Sequence, residues 1–278
     1  MSTLSVKSGL LSSIDLEVED TGGTGRPVVL IHGWPLSHEA WADQVPALTA
    51  AGYRVISYDR RGFGNSEKPG SGYDYDSLTK DLDGLLEELD LQDVTLVGFS
   101  MGGGEVVRYV AKHGEERLRS VVLASAVPPF MLRSDDNPDG AISQDEADQM
   151  AGQLDQDRDA FFDTFTTQFF SANGELKVTE QQRQEAVALC LQSDQTAALK
   201  CMESFGGTDF RDDLTAITVP TLVIHGDGDG TVPFEASGRR TNQAVPQSEL
   251  HVVSGGPHGI NVSHAEEFNQ VLLAFLQR

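Results

Sequence analysis

The stretch VTLVGFSMGGGEV, Val94–Val106, decides the reading of this chain. Val94–Val97 is a short apolar, largely β-branched run, which predicts a buried strand. Gly98 and Gly102 stand two residues before and two after Ser100. That spacing predicts a sharp strand-to-helix turn with Ser100 at its crest, its backbone strained and its Oγ lifted clear of the sheet. The helix is expected over Gly102–His113. Glycine costs about 1 kcal/mol in a helix interior, so Gly103 and Gly104 imply close packing of that helix against neighbouring backbone.

The same alternation extends in both directions. Strands are expected at Val28–Ile31, Tyr53–Ser57, Val121–Ser125, Thr221–Ile224 and Leu250–Val253. Helices are expected at Ser37–Ala51, Asp76–Asp90, Phe234–Ala244 and Ala265–Leu276, the last with a Ser263/Glu266 capping box. Apolar runs separated by helices indicate a parallel sheet covered on both faces, hence an α/β protein. Ile14–Glu19 alternates apolar and polar residues, as an exposed antiparallel edge strand does. Residues 128–213 lack strand patterns and are expected to hold helices, among them Asp159–Phe170, Glu180–Leu191 and Thr196–Phe205. Inserted after a strand's carboxyl end, they are placed to cover a ligand site. The expected division is therefore a core of 1–127 and 214–278 with a helical cap at 128–213.

Composition narrows the function. A net charge of −23 disfavours nucleic acid and anionic membrane surfaces as partners. With no signal-like N-terminal segment and no apolar run near the ~20 residues that span a bilayer, a cytoplasmic protein is expected. Cys190 and Cys201 fit no zinc spacing and read as small buried hydrophobes.

A serine hydroxyl becomes nucleophilic only beside a base that is itself oriented by an acid. In a strand-turn-helix setting the chain order should be serine, acid, histidine. Two acids, Asp227 and Asp229, follow the Thr221–Ile224 strand in HGDGDGTVP, and His258 follows the last strand in SGGPHGINV. His225 lies between strand and acid loop and reads as structural, as do the remaining histidines. The Met101 N–H, at the helix start, is a candidate oxyanion donor. A second is the Trp34 N–H in the loop HGWP, where Pro35 has no amide to offer and restricts Trp34. The Trp34 side chain reads equally as a core aromatic. DRRGFGNS, Asp59–Ser66, reads as a structural loop with Arg60 and Arg61 paired to acids.

HGWP, DRRGFGNS, LVGFSMGGGEVVRY, VPTLVIHGDGDGTVPFE and PHGINVSHAEEFNQVLLAFL together resemble the α/β-hydrolase superfamily. More narrowly they resemble its cofactor-free bacterial haloperoxidase, perhydrolase and aryl-esterase group. The resemblance implies a mostly parallel eight-stranded sheet flanked by helices, with a helical cap. It implies a Ser100–His258–Asp229 triad, choosing Asp229 over Asp227, with Trp34 and Met101 amides as the oxyanion hole. Pro35 resembles the form found in members with stronger perhydrolysis, where the loop carbonyl accepts a hydrogen bond from peroxide or peracid. Pro35, Phe99 and Val232 are candidates for the substrate pocket. The phenylalanines at 161, 162, 165, 169 and 170 suit either an apolar acyl pocket or plain packing.

The expected activity is carboxylic ester hydrolysis through an acyl-enzyme, with hydrogen peroxide as an alternative acceptor to water. No metal or cofactor is implied, and a homo-oligomer is compatible with the resembled group. A lactonase or amidase would use the same triad. A non-catalytic binding protein on the same fold would more often have lost one of the three residues.

Overall fold

The computed structural model describes residues 1–9 and 12–278. Its core is one eight-stranded sheet in the order β1-β2-β4-β3-β5-β6-β9-β10. The strands are β1 (Ser2–Lys7), β2 (Ser13–Asp20), β3 (Pro27–Ile31), β4 (Arg54–Tyr58), β5 (Val94–Phe99), β6 (Leu118–Ala124), β9 (Thr221–Gly226) and β10 (Ser248–Val253). β7 (Ser171–Ala172) and β8 (Glu175–Leu176) form a separate two-stranded hairpin. From β4 through β10 every pairing is parallel, whereas β1 and β2 run antiparallel. All six residues of β5 and of β9 are buried, which is why those runs read as uninterrupted apolar stretches.

Helices α1 (Gln44–Ala50), α2 (Tyr75–Glu88), α3 (Met101–His113), α9 (Gly238–Ala244), α10 (Ile260–Ser263) and α11 (Ala265–Leu276) belong to the sheet-bearing segments. Between β6 and β9 lie α4 (Gln144–Gln156), α5 (Arg158–Phe169), α6 (Glu180–Gln192), α7 (Gln195–Gly207) and the short α8 (Arg211–Leu214). Among the described residues no helix is long and apolar enough to cross a membrane.

Several expectations need correction. Ile14–Glu19 is not the edge: β1 pairs outside it along the whole register from Ser2↔Val18 to Lys7↔Ser13. The expected Ser37–Ala51 helix is a 3-10 turn, His38–Trp41, followed by α1. The Phe234–Ala244 helix begins only at Gly238. α11 has no side-chain cap, because the Ser263 hydroxyl donates back to the Gly259 carbonyl at 2.9 Å instead.

Because the central strands are parallel, their carboxyl ends share one rim. The segments following β3, β4, β5, β9 and β10 all emerge there, and they carry Trp34, Arg60, Ser100, Asp229 and His258 respectively.

Candidate active site

Ser100 sits between β5 and α3 at φ 56°, ψ −119°, a region that residues with a Cβ rarely occupy. Its neighbours show why the glycines are needed. A Cβ on Gly98 would lie 2.4 Å from the Gly102 carbonyl oxygen, and one on Gly102 would lie 2.5 Å from the Ile31 carbonyl oxygen. Gly103 and Gly104 also mark close approaches, but mainly to side chains: Ala126 for the first, Phe210 and Tyr75 for the second.

The Ser100 Oγ lies 2.9 Å from His258 Nε2, and His258 Nδ1 lies 2.7 Å from Asp229 Oδ2. The geometry fixes the protons. An ionised carboxylate only accepts, so Nδ1 carries the hydrogen and Nε2 is left to accept from the serine hydroxyl. Asp229 Oδ1 accepts from the backbone N–H groups of Thr231 (2.9 Å) and Val232 (2.7 Å). Burial pushes the Asp229 carboxyl up, but His258 and His225 beside it outweigh that and hold it well below the ordinary carboxylate range. Asp227 does something else: its carboxylate accepts from the Gly255 N–H at 2.5 Å. Phe99 and Phe169 flank the His258 ring, with centroids 5.2 and 4.9 Å away.

The loop after β3 comes against the serine, since a Cβ on Gly33 would be 3.0 Å from Ser100 Cβ. Among the described residues the N–H groups of Trp34 and Met101 donate to no protein acceptor. They are therefore free to meet an oxyanion. The Trp34 side chain is also a core aromatic. Its Nε1 donates to the Ala198 carbonyl at 3.0 Å, and Phe161, Phe162, Phe165 and Phe205 pack edge-on around it.

Sequence reasoning did not foresee the network beneath this loop. Arg60 is fully buried, donates from Nε to Glu105 at 2.8 Å and from Nη2 to the His32 carbonyl at 2.8 Å. The Tyr58 hydroxyl completes the Glu105 carboxylate. His32 donates from Nδ1 to the Gly33 carbonyl (2.8 Å) and accepts at Nε2 from the Arg60 N–H (3.0 Å). Burial and the Arg60 charge depress its pKa to about 3, so it remains neutral at any physiological pH. Arg61 pairs with Asp81 at 2.5 Å, so both arginines of DRRGFGNS do find acids. His225, read as structural, lies against Asp229 at 3.3 Å. Both cysteines are buried, and burial raises the Cys201 thiol to about 12.

Ser100 and His258 open onto a cavity of about 430 Å³ between the sheet rim and the β6–β9 insertion. Trp34, Met131, Met150, Phe161 and Phe165 give it an apolar lining, and Val232 lines it as expected. Pro35 and Phe99 are not among its lining residues: Phe99 is wholly buried behind the His258 ring and against Trp41.

Comparison with known proteins agrees with this architecture. The family described as alpha/beta hydrolase fold matches residues 26–265. A non-heme chloroperoxidase of Kitasatospora aureofaciens is 46% identical over 92% of this chain and 94% of its own length. A bifunctional esterase/perhydrolase of Acinetobacter calcoaceticus is 36% identical over 95% of this chain and 96% of its own. The crystal structure of a bromoperoxidase from Bacillus anthracis superposes with a TM-score of 0.95 at 50% identity, covering 100% of both chains.

Proposed function

This chain belongs to the alpha/beta hydrolase family, and from that premise we propose that it is a serine hydrolase of carboxylic esters that also performs perhydrolysis. The observation that carries the reading is the unbroken Ser100–His258–Asp229 relay, 2.9 and 2.7 Å, opening onto an apolar cavity. His258 Nε2 takes the Ser100 proton as Oγ attacks the ester carbonyl. The amides of Trp34 and Met101 receive the oxyanion, and losing one such donor typically costs about 10²–10³ in rate. Collapse of the tetrahedral intermediate expels the alcohol, which takes the proton back from His258, and leaves acyl-Ser100. Asp229 holds the imidazole tautomer and stabilises its cation throughout. Water then attacks the acyl-enzyme, again through His258, and releases the acid. Hydrogen peroxide in place of water gives a peracid, which oxidises bromide to hypobromite as it is reduced to the acid. The likeness to an esterase/perhydrolase and to haloperoxidases supports both outcomes. In this reading residues 128–213 act as the cap that shapes the acyl pocket.

The test is a short p-nitrophenyl ester assayed with wild type and Ser100→Ala. Wild type is expected to turn over, and the variant to fold normally and fall to background. Equal rates in both would remove Ser100 from the mechanism. Acetate, peroxide and bromide with a halogenation indicator read the perhydrolase branch, which should vanish in the same variant.

A further inference from the structure

We propose that His225 is a positioning residue for the acid of the relay: a second histidine whose Nε2–H anchors the loop 229–232 and so keeps Asp229 aimed at His258. The proposal rests on the serine-hydrolase reading above. His225 is the penultimate residue of the buried strand β9 and is fully enclosed. Its Nε2 lies 2.8 Å from the Val232 carbonyl oxygen. A carbonyl only accepts, so Nε2 carries the hydrogen. The same nitrogen lies 3.3 Å from Asp229 Oδ2, the oxygen that faces His258. The Nε2–H is directed at the Val232 carbonyl, with Asp229 Oδ2 as a second, longer neighbour, and the N–H of Val232 in turn holds Asp229 Oδ1. The ring thus ties down the end of the loop 229–232 that fixes the acid.

The other nitrogen is enclosed by packing. Nδ1 is buried and has no partner among the described residues, and it faces the α-carbon of Gly238, where a Cβ would come within 2.6 Å. A hydrogen there would be a buried donor with no acceptor, so the Nε2–H tautomer fits the enclosure. The charged groups near the ring are each engaged elsewhere. Asp229 is the carboxylate in contact, and His258 lies beyond it. Asp227 is turned to the Gly255 amide, and Glu235 and Arg239, on the segment bearing Phe234, pair with each other. Across the sheet His225 stands opposite Val252 of β10, and its neighbour Ile224 opposite Ala124 of β6. A ring bonded to the loop suits the task, since it steadies the acid while leaving Asp229 Oδ2 to His258 Nδ1.

The test compares His225→Gln, whose amide nitrogen can stand where Nε2 stands, with His225→Asn, which is too short to reach. Both are assayed on a neutral p-nitrophenyl ester from pH 5 to 9, alongside wild type and Ser100→Ala, with folding checked by thermal melting. In His225→Asn, kcat should fall at least tenfold with KM within about twofold. The acid limb of kcat/KM should move to higher pH, because an Asp229 stripped of a donor favours the protonated His258. His225→Gln should recover most of the rate and return the acid limb to the wild-type position. A folded His225→Asn with wild-type kcat and acid limb overturns the proposal. So does a Gln variant as slow as the Asn variant with both acid limbs unmoved, which would make the ring a packing element only. If wild type itself shows no Ser100-dependent turnover, the hydrolase reading falls and this role with it, an outcome distinct from the other two.

Discussion

Ser100 holds its place at the crest of the turn at a cost in backbone conformation, and the residues around it are chosen for what they lack. Gly102 is the clearest case, because the atoms that a Cβ would meet, the Ile31 and His32 carbonyl oxygens, are backbone and cannot swing aside. Gly102→Ala should therefore destabilise the fold by about 1–3 kcal/mol. It should also lower kcat by displacing the first turn of α3, which carries the Met101 amide proposed as an oxyanion donor. Denaturant unfolding and ester turnover measure both, and an alanine variant with wild-type stability would disprove the close approach. Asp229 gives a second test at this scale. Its pKa is depressed in the folded state, so its charge adds stability above the ordinary carboxylate range, and that contribution fades as pH falls through the folded value. Asp229→Asn has no such charge to lose. It should cut kcat by about 10³–10⁴ at pH 7 by spoiling the imidazole tautomer. Its stability deficit relative to wild type should shrink as the pH is lowered below about 4. Denaturation midpoints across that range decide it, and a deficit that widens with acid would contradict the assignment of Asp229 as a carboxylate stabilised by its donors.

The helices of the insertion give the pocket its character. α5 carries Phe161, Phe162 and Phe165 onto the Trp34 ring, with Phe165 nearest at 5.2 Å and also lining the cavity. Phe165→Ala should cost about 3–5 kcal/mol if the site does not collapse. It should also enlarge the cavity, shifting preference from short acyl chains toward longer ones. A p-nitrophenyl ester series from acetate to octanoate reads this as a change in the ratio of kcat/KM values, and an unchanged ratio would place the acyl chain elsewhere. The elements of the sheet and site were largely legible because their signals are local. A β-branched run beside glycines announces a buried parallel strand and its turn, as in Val94–Gly102. What escaped depends on contacts that no single segment contains. β1 has only Val6 buried in six residues, so its alternation is nearly silent, and it is defined by pairing with β2. α4 buries only Leu154, although Ser143 and Glu146 form a full capping box whose Ser-x-x-Glu spacing stands in the sequence. The apparent Ser263/Glu266 box fails because α10 claims the serine hydroxyl first. From sequence His225 reads as structural and Arg60 as paired to an unnamed acid, because their partners, Asp229 and Glu105, are brought to them only by the fold.

Across the whole molecule, 43 acids stand against 20 bases, and the helices beside the cavity share in the imbalance. Between residues 144 and 169, which form α4 and α5, Asp or Glu stands at seven positions and Arg158 is the lone base. Arg158 is turned away from the cavity, donating to Gln195 at 2.7 Å and to the Cys190 carbonyl at 3.1 Å while lying over the Phe162 ring. No Lys or Arg lines the cavity, and Asp157 does. A substrate therefore meets a chain of net charge −23 and enters an apolar chamber whose described lining holds Asp157 and no Lys or Arg to receive an anion. Neutral esters should be favoured over anionic ones of equal length, for example a p-nitrophenyl butyrate over the corresponding hemisuccinate, by roughly tenfold or more in kcat/KM at low salt. Raising ionic strength from about 0.01 M to 1 M shortens the screening length from about 30 Å to 3 Å, so the gap should narrow. Asp157→Asn should narrow it too without loss of folding, because the side chain caps α5 by accepting from the Ala160 N–H, and asparagine caps as well as aspartate. Steady-state kinetics on the matched pair at the two salt concentrations separate field from shape. A gap that ignores both salt and Asp157 would mean that the walls of the chamber, and not its charge, do the discriminating.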